Sequence, residues 1–461
     1  MPADSALLNR RNNRREIFGW IMYDWANSAF QTTVVTVLAG PYLTALAQSA
    51  VGDNGVVLRI GPLATVTAKS LFPYSIAMSI FLQVFLLPVL GAVADYTRLK
   101  KPLMAVFCYV GVVATSLMFF VFGERYLLGA LLLIVANLSF GASVVLYNAY
   151  LNDITTEDRR DEVSSRGYAV GYLGGGLLLA ANLALVAFAD SLGVSKGSAV
   201  RLSLLSAGLW WGGFAAVTFA LLEPRAPAQR PNAGRSPIAL AVAELWTTIS
   251  ALRRLRQTLR YLVGYMAFND GIQTVISIAS VFMAQELFVA KGRPVNESFL
   301  MGLILMVQFI AFFGSLVFER IAAAIGAKRA ILLSLVIWTG VVLYAYGLLE
   351  TIGQAWVMGA VIAVVLGGSQ ALSRSLFSQM IPAGREASFF GLYEISERGT
   401  SWIGPLIFGI VVGATSSYRQ AILSLIILFV AGIGVLVFTD TDRAVHDAGN
   451  PLPAEAARTV A

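Results

Sequence analysis

A short apolar stretch near the start of the chain contains polar side chains that could do chemistry inside a membrane. Asp24, Asn27 and Gln31 lie in a mainly apolar run that extends from residue 17 to about residue 46. An ionisable group inside a membrane segment is costly, and it usually serves a solute pathway, a proton relay or a counter-charge. Asp24 is therefore a candidate functional residue. The alternative is that it lies at the cytoplasmic edge, solvated beside Arg14 and Arg15.

Further polar residues occur in later apolar runs. We expect Asp24 or Asp270 to bind the amino group of a zwitterion or to carry a coupling proton. Arg374 or Arg398 would then receive a carboxylate, bidentately where the guanidinium fork allows it. The alternative for Arg374 is a structural role, since it lies within snorkelling distance of the cytoplasm. Neutral side chains in the same runs, which either line the pathway or tie helices together, are Gln273 and Gln370.

Glu394, Glu397 and Arg398 follow one another at positions that share one face of a helix. Two carboxylates that lie close together raise each other's affinity for protons, whereas an arginine favours ionisation of the nearer one. These three residues could therefore bind a proton in one state of the protein and release it in another. The alternative is a locked pair between Glu394 and Arg398 that only tethers helices.

The composition excludes several classes of protein. Hydrophobic residues make up 57% of the chain and charged residues only 13%, whereas soluble proteins carry about 25% charged residues. The single cysteine, Cys108, excludes an internal disulfide and a cysteine metal cluster. The single histidine, His446, lies in the polar tail, so an intramembrane proton relay would use carboxylates or tyrosines. We expect no metal, no cofactor and no enzymatic activity, because the sequence contains no nucleotide motif and no nucleophile–base set.

Twelve apolar windows are long enough to cross a bilayer, which takes about 20 residues each. The sequence therefore predicts an all-α polytopic membrane protein with two pseudo-symmetric six-helix bundles. We divide it into an arm (1–16), a first bundle (17–222), a linker (223–258), a second bundle (259–438) and a tail (439–461). The windows are approximately 17–46, 71–93, 102–122, 127–151, 166–189 and 201–222, then 259–287, 298–318, 329–349, 355–378, 387–414 and 418–438.

The basic residues orient these spans. If the arm is cytoplasmic, Lys and Arg on that side outnumber those on the other side by about three to one. Both termini and the linker are therefore predicted to be cytoplasmic, as expected in the inner membrane of a bacterium. The net charge of +7 then reflects membrane topology and some attraction for anionic lipids. Nucleic acid is not an expected partner, and we expect a monomer.

The two halves show short matches in the same order. Asp24 in the first span corresponds to Asp270 in the seventh, and Asn148 in the fourth corresponds to Arg374 in the tenth. Six plus six helices around a basic linker are typical of parallel-repeat transporters, in which the solute lies midway between halves that rock against each other.

The turn after the second span has a more specific pattern. Gly91 permits close helix approach, Asp95 can accept from a neighbouring helix N-terminus, and Arg98 can pair with a cytoplasmic acid such as Asp153. A basic turn alone would explain Arg98 and Lys101 but not Asp95. The segment resembles the loop motif of the major facilitator superfamily, in which the acid and the arginine latch the cytoplasmic side. The matching turn after the eighth span is degraded, because Ala323 stands where the acid would be.

Several segments together resemble the fungal vacuolar amino-acid effluxers linked to autophagy, and their bacterial relatives. They cover most of the chain. This chain departs from the family pattern at Asn152, where a proline is usual. It also departs at Glu394 and Glu397, where small or neutral residues are expected, and at Arg398, which replaces a lysine. The matching segments are residues 23–28 (YDWANS), 164–167 (SSRG), 171–176 (GYLGGG), 367–375 (GGSQALSRS) and 389–393 (FFGLY).

The resemblance implies a secondary carrier with amino-acid-like substrates. We therefore predict alternating-access transport of a small amino-acid-like or amphiphilic metabolite, with coupling to protons through intramembrane carboxylates as one option. One alternative is an exporter or flippase of lipids, lysolipids or drug-like amphiphiles, which would need a lateral opening and an apolar cavity. Another is a receptor or scaffold that does not transport, although a scaffold has little reason to keep intramembrane acids in both halves.

Overall fold

A computed structural model describes most of the 461 residues, namely residues 11–52, 55–60, 64–225, 247–248, 250–294, 296–398, 403–415 and 417–452. Most of the predicted arm, much of the linker and the end of the tail lie outside the described residues, as does the side chain of Arg398. The described chain is almost entirely helical. Helices satisfy every backbone hydrogen bond within one segment, as a bilayer requires.

The first half contains six long helical stretches. The first is continuous through a π-helical segment, Phe30–Leu38, in which the Thr36 hydroxyl donates to the Gln31 carbonyl (2.8 Å). An antiparallel hairpin, β1 (Val56–Ile60) and β2 (Ala64–Thr67), pairs Leu58 with Val66. The helices are α1 (Arg14–Ala29), α2 (Ala39–Val51), α3 (Leu71–Tyr96), α4 (Lys100–Leu117), α5 (Tyr126–Ile154), α6 (Arg160–Ala187) and α7 (Lys196–Leu221).

The second half repeats this arrangement. Short 3₁₀ turns, such as Glu157–Arg159 in the first half and Val289–Lys291 in the second, follow several of the long helices. The helices are α8 (Arg256–Leu287), α9 (Glu297–Ile325), α10 (Ala327–Gly347), α11 (Ile352–Gln379), α12 (Glu386–Arg398), α13 (Ile403–Thr415), α14 (Tyr418–Ser424), α15 (Ile426–Val437) and α16 (Thr441–Asp447).

Eleven stretches of the described chain are long and apolar enough to cross a membrane. They coincide with eleven of the twelve predicted windows. The remaining window, 387–414, corresponds to the two shorter helices α12 and α13, between which residues 399–402 are not described.

Small residues let α1 and α6 approach closely. A Cβ atom on Gly171 would lie 2.7 Å from the Ser28 hydroxyl, and one on Gly175 would lie 2.7 Å from the Thr32 hydroxyl. Glycine therefore allows the backbones of these two helices to pack in contact, as is common in membranes.

The two halves meet along α3 and α12, along α6 and α9, and where α11 packs against α5 and α6. We define the linker face as the end of the bundle at which α1 begins, α7 ends and α8 begins. Helices α5 and α11 also end at this face, and α6 and α12 begin there. The shortest polar contacts between the halves lie toward the linker face, as described below.

Candidate functional site

Asp24 and Arg374 form an ion pair between the two halves of the protein. The Nη2 and Nη1 atoms of Arg374 lie 3.3 Å and 3.4 Å from the same carboxylate oxygen of Asp24. Asp24 belongs to α1 and Arg374 to α11, and the two residues are only 8% and 2% exposed. The alternatives of a solvated Asp24 at the membrane edge and a snorkelling Arg374 therefore do not describe this structure.

Arg374 is held in place from several sides. Its Nε donates to the Ser164 hydroxyl and its Nη2 to the Ser164 carbonyl, both at 2.9 Å. The ring centroids of Tyr168 and Trp20 lie 4.3 Å and 4.7 Å from the guanidinium carbon. Aromatic faces stabilise a cation that has been removed from water. These contacts therefore hold the guanidinium of Arg374 in one orientation.

Gly167 provides the space for this ion pair. A Cβ atom at this position would clash with the nearer Asp24 carboxylate oxygen and would lie 3.1 Å from Nη2 of Arg374. Glycine is the residue that lets α6 pack directly against both charged groups.

Asn148 extends the pair into a chain of four polar residues. Its Oδ1 accepts from Nη1 of Arg374 (3.4 Å), and its Nδ2 donates to a carboxylate oxygen of Glu394 (2.9 Å). Glu394 is 1% exposed. The predicted pairing of Glu394 with Arg398 concerns a side chain outside the described residues. Glu397 is half-buried, and its main-chain carbonyl accepts from Asn269 (3.1 Å).

A second contact between the halves lies one helical turn farther from the linker face. The Tyr172 hydroxyl donates to Oε1 of Gln370 (2.6 Å). Tyr172 follows Tyr168 by four residues on α6, and Gln370 precedes Arg374 by four on α11. Polar residues of α6 and α11 therefore form two successive layers across the interface.

The remaining predicted pathway residues take different positions. Asn27 is buried, Gln31 is exposed and Gln273 is half-buried. Asp270 is buried in the second half, where one of its oxygens accepts from the main-chain nitrogen of Gly404 (2.8 Å). Asp24 and Asp270 do not bond to each other, so their sharing of one cavity stays a prediction.

The turn after α3 contacts the start of α12. Asp95 accepts from the main-chain nitrogens of Ala387 (3.0 Å) and Ser388 (2.8 Å) and from the Ser388 hydroxyl (2.6 Å). Gly91 lies against the Ala387 main chain, where a Cβ atom would clash. The carboxylate of Asp95 thus satisfies the free N–H groups at a helix N-terminus.

The predicted partner of Asp153 needs correction. Lys100 lies 3.0 Å from the Asp153 carboxylate, whereas Arg98 is exposed. Lys101 donates instead to the Leu222 carbonyl at the end of α7 (2.6 Å). The helix that begins at Lys100 carries its first residue inward, toward α5, and this direction was not evident from the basic composition of the turn.

Sequence reasoning missed several contacts at the linker face. Nδ2 of Asn152 donates to the Ser378 carbonyl (2.8 Å), and the Ser375 hydroxyl bonds to Asp161 (2.5 Å). Arg160 also donates to the Ser378 carbonyl (3.2 Å). Asn152 was visible only as a departure from a usual proline.

Known proteins resemble this chain over most of its length. The family described as "Vacuole effluxer Atg22 like" matches residues 12–449. The MFS-type transporter YxiO of Bacillus subtilis is 30% identical over 94% of this chain and 97% of its own. Autophagy-related protein 22 of Yarrowia lipolytica is 28% identical over 82% of this chain and 77% of its own.

Solved structures share the fold at low sequence identity. The MFS transporter FucP in the outward conformation aligns with a TM-score of 0.65 at 11% identity, over 92% of this chain and 98% of its own. A bacterial homologue of ferroportin in an outward-facing state aligns with a TM-score of 0.63, also at 11% identity, over 92% of this chain and 98% of its own. These alignments confirm the predicted all-α fold of two helical bundles.

Proposed function

Because the chain belongs to the Atg22-like effluxer family of the major facilitator superfamily, we propose that it carries a small zwitterionic solute by alternating access. That the protein is a multi-pass membrane transporter and not an enzyme follows from the family itself. The resemblance predicted from the sequence is thereby confirmed. The identity of the solute, the position of the gate and the identity of the coupling ion are what we propose.

The ion pair between Asp24 and Arg374 carries this proposal. A guanidinium and a carboxylate are the groups that bind the carboxylate and the ammonium of an amino acid. In the closed state the two residues satisfy each other. Leaving one partner of a buried ion pair uncompensated costs about 3–5 kcal/mol, so the two charges need replacement partners when they separate. A zwitterion offers both charges at once, so it can replace each partner while the halves move apart.

The polar surroundings favour a zwitterion over an amphiphile. Ser164, Asn148 and Glu394 supply hydrogen-bonding groups around Arg374, and buried polar groups of this kind select solutes that can pair with them. The apolar part of a lipid or drug-like amphiphile would leave them unpaired.

Contacts at the linker face form the gate in this proposal. Asp95 holds the start of α12, Gly91 allows the close approach, and Lys100 and Asp153 brace the turns beside them. Separation of Asp95 and Gly91 from α12 would open this face, while the two halves remain folded bundles that rock as units.

Coupling and cellular placement complete the proposal. Glu394 can link a proton to the gate, because Asn148 connects it to Arg374. The linker face is the cytoplasmic face, both termini are cytoplasmic, and the protein works as a monomer in a bacterial inner membrane.

Ligand-dependent thermal stability tests the solute class. Purified full-length protein is screened in detergent against amino acids, peptides, sugars and lysolipids at two pH values. We expect a set of amino acids to raise the melting temperature with saturation, and Arg374→Gln to abolish the effect. Arg166→Gln is the matched control, since Arg166 lies on α6 with its side chain 49% exposed. Stabilisation by lysolipids alone would replace this proposal with the flippase alternative.

Transport itself is tested with liposomes that contain the purified protein. An amino acid that stabilises the protein should exchange across the membrane, and Asp24→Asn should reduce the exchange by at least about tenfold, the factor that corresponds to 1.4 kcal/mol. Full exchange by both Asp24→Asn and Arg374→Gln would overturn the role of the pair.

A further inference from the structure

Asp270 is a buried carboxylate that lacks a full set of partners. It lies near the middle of the 32-residue helix α8 and is 2% exposed. One oxygen, Oδ2, accepts from the main-chain nitrogen of Gly404 (2.8 Å). The other oxygen, Oδ1, is buried and has no hydrogen-bond partner among the described residues. The hydrogen bond to the start of α13 therefore accounts for only one of the two oxygens of this carboxylate.

A second unpartnered oxygen lies beside it. Thr274 is one turn farther along α8, and its hydroxyl is also buried, without a hydrogen-bond partner in the part of the chain that the structure describes. A Cβ atom on Gly404 would collide with this hydroxyl. Gly404 is thus in contact with both side chains, and two unsatisfied oxygens flank one glycine. Two unpartnered oxygens against the same glycine can serve together as ligands of an ion.

No cation of the described chain neutralises Asp270. Among the described residues it forms no ion pair, and the neighbouring helices α13 and α15 contain no titratable residue. Arg374 of α11 is bonded to Asp24, and Glu394 of α12 to Asn148. The other titratable residues on elements packed against α8 are Glu386, Tyr393, Glu397 and Arg398 on α12, Lys291 in the turn after α8, Glu297, Glu319 and Arg320 on α9, Tyr418 and Arg419 on α14, and Asp442, Arg443, His446 and Asp447 on α16.

We propose that Asp270 and Thr274 bind a small monovalent cation, either a proton or Na⁺, at a site separate from the pair of Asp24 and Arg374. A carboxylate and a hydroxyl are hard oxygen ligands that suit an alkali cation. A proton on Oδ1 would neutralise the same charge. A role of this site in coupling the cation to transport rests on the proposed function. Binding of the cation does not depend on that function, and it can be measured without any solute.

The test follows the melting temperature of the purified full-length protein in two series. The first varies Na⁺ at constant ionic strength with choline as the replacement, at fixed pH. The second varies pH without Na⁺. Wild type is compared with Asp270→Asn, Thr274→Val and Thr274→Ser. Valine keeps the shape of threonine without its hydroxyl, whereas serine keeps the hydroxyl.

We expect a cation-dependent rise in the melting temperature of the wild type that Asp270→Asn abolishes. Thr274→Val should raise the half-saturating concentration of the cation by about tenfold, as expected for the loss of one oxygen ligand, and Thr274→Ser should restore it. A response in the first series identifies Na⁺, and a response only in the second identifies the proton. Equal responses of wild type and Asp270→Asn in both series would overturn the site, whatever the outcome of the solute screen.

Discussion

Asn148 and Arg374, which the sequence predicts to be equivalent in the two halves, touch each other. The residues are 226 positions apart, and Nη1 of Arg374 lies 3.4 Å from Oδ1 of Asn148. Asn152 and Ser378, also 226 positions apart, are joined by a hydrogen bond. In a parallel repeat, equivalent positions are related by an axis along the membrane normal. Residues that touch their equivalents must lie close to this axis, so movement between the halves has to disrupt these contacts.

The first prediction concerns the coupling between Asp24 and Arg374. Asp24→Asn and Arg374→Gln should each lower the free energy of unfolding by about 3–5 kcal/mol, because each leaves a buried charge unpaired. The double variant should be destabilised by less than the sum of the two. Chemical denaturation of the purified protein in detergent gives the three values. Strict additivity would show that the two side chains do not interact.

Much of the architecture could be predicted from the sequence, because apolar length and the distribution of basic residues are strong signals in membrane proteins. The correspondence of Asn148 with Arg374 was also visible. The contact between them could not be predicted, because it depends on which face each helix turns toward the axis between the halves. The pairing of Asp24 with Arg374 likewise joins residues 350 positions apart. Periodicity can suggest which face of a helix is polar, but not which partner faces it.

The turn after α3 shows the same limit at short range. Three basic residues follow Asp95 within six positions, and composition alone cannot show which of them faces α5. In the structure Lys100 is the basic residue that pairs with Asp153 of α5, because it is the first residue of α4 and faces inward.

The second prediction concerns Gly167. Gly167→Ala should destabilise the protein by about 1–3 kcal/mol, because the added methyl group clashes with the Asp24 carboxylate. The control is Gly213→Ala on α7, where the added Cβ would have no described atom within 4 Å apart from its sequence neighbours and the backbone of its own helix. Alanine there should be neutral or stabilising by up to about 1 kcal/mol. Melting temperatures of both variants provide the comparison, and equal effects would contradict a tight site at Gly167.

The third prediction separates Lys100 from Arg98. Lys100→Met should lower the stability by about 1–3 kcal/mol, since it leaves the partly buried Asp153 without its partner. Arg98→Met should change it by less than about 0.5 kcal/mol, as is usual at exposed positions. Thermal unfolding of the two variants decides between them. The reverse order would favour the pairing of Arg98 with Asp153 that the loop motif suggests.

The fourth prediction uses a covalent link across the linker face. Asp161 and Ser375 lie in different halves, and their side chains are joined by a 2.5 Å hydrogen bond. In a Cys108→Ala background, Asp161→Cys combined with Ser375→Cys should form a disulfide under mild oxidation. We expect at least about a tenfold loss of exchange in liposomes, because alternating access requires this face to open. Reduction should restore the exchange, and each single cysteine variant serves as a control.

The fifth prediction concerns the layer formed by Tyr172 and Gln370. Tyr172→Phe keeps the ring and removes only the hydroxyl that donates to Gln370. A buried hydrogen bond contributes about 0.5–1.5 kcal/mol, and this one exists only while the halves are in contact. Its loss should therefore shift the population toward states that are open at the linker face by about two- to tenfold. Accessibility of a cysteine placed at Ser164 to a thiol reagent reports this shift. Tyr168→Phe should have a smaller effect, because Tyr168 contacts Arg374 through the face of its ring. If both variants label at the wild-type rate, the hydrogen bond does not help to hold the linker face closed.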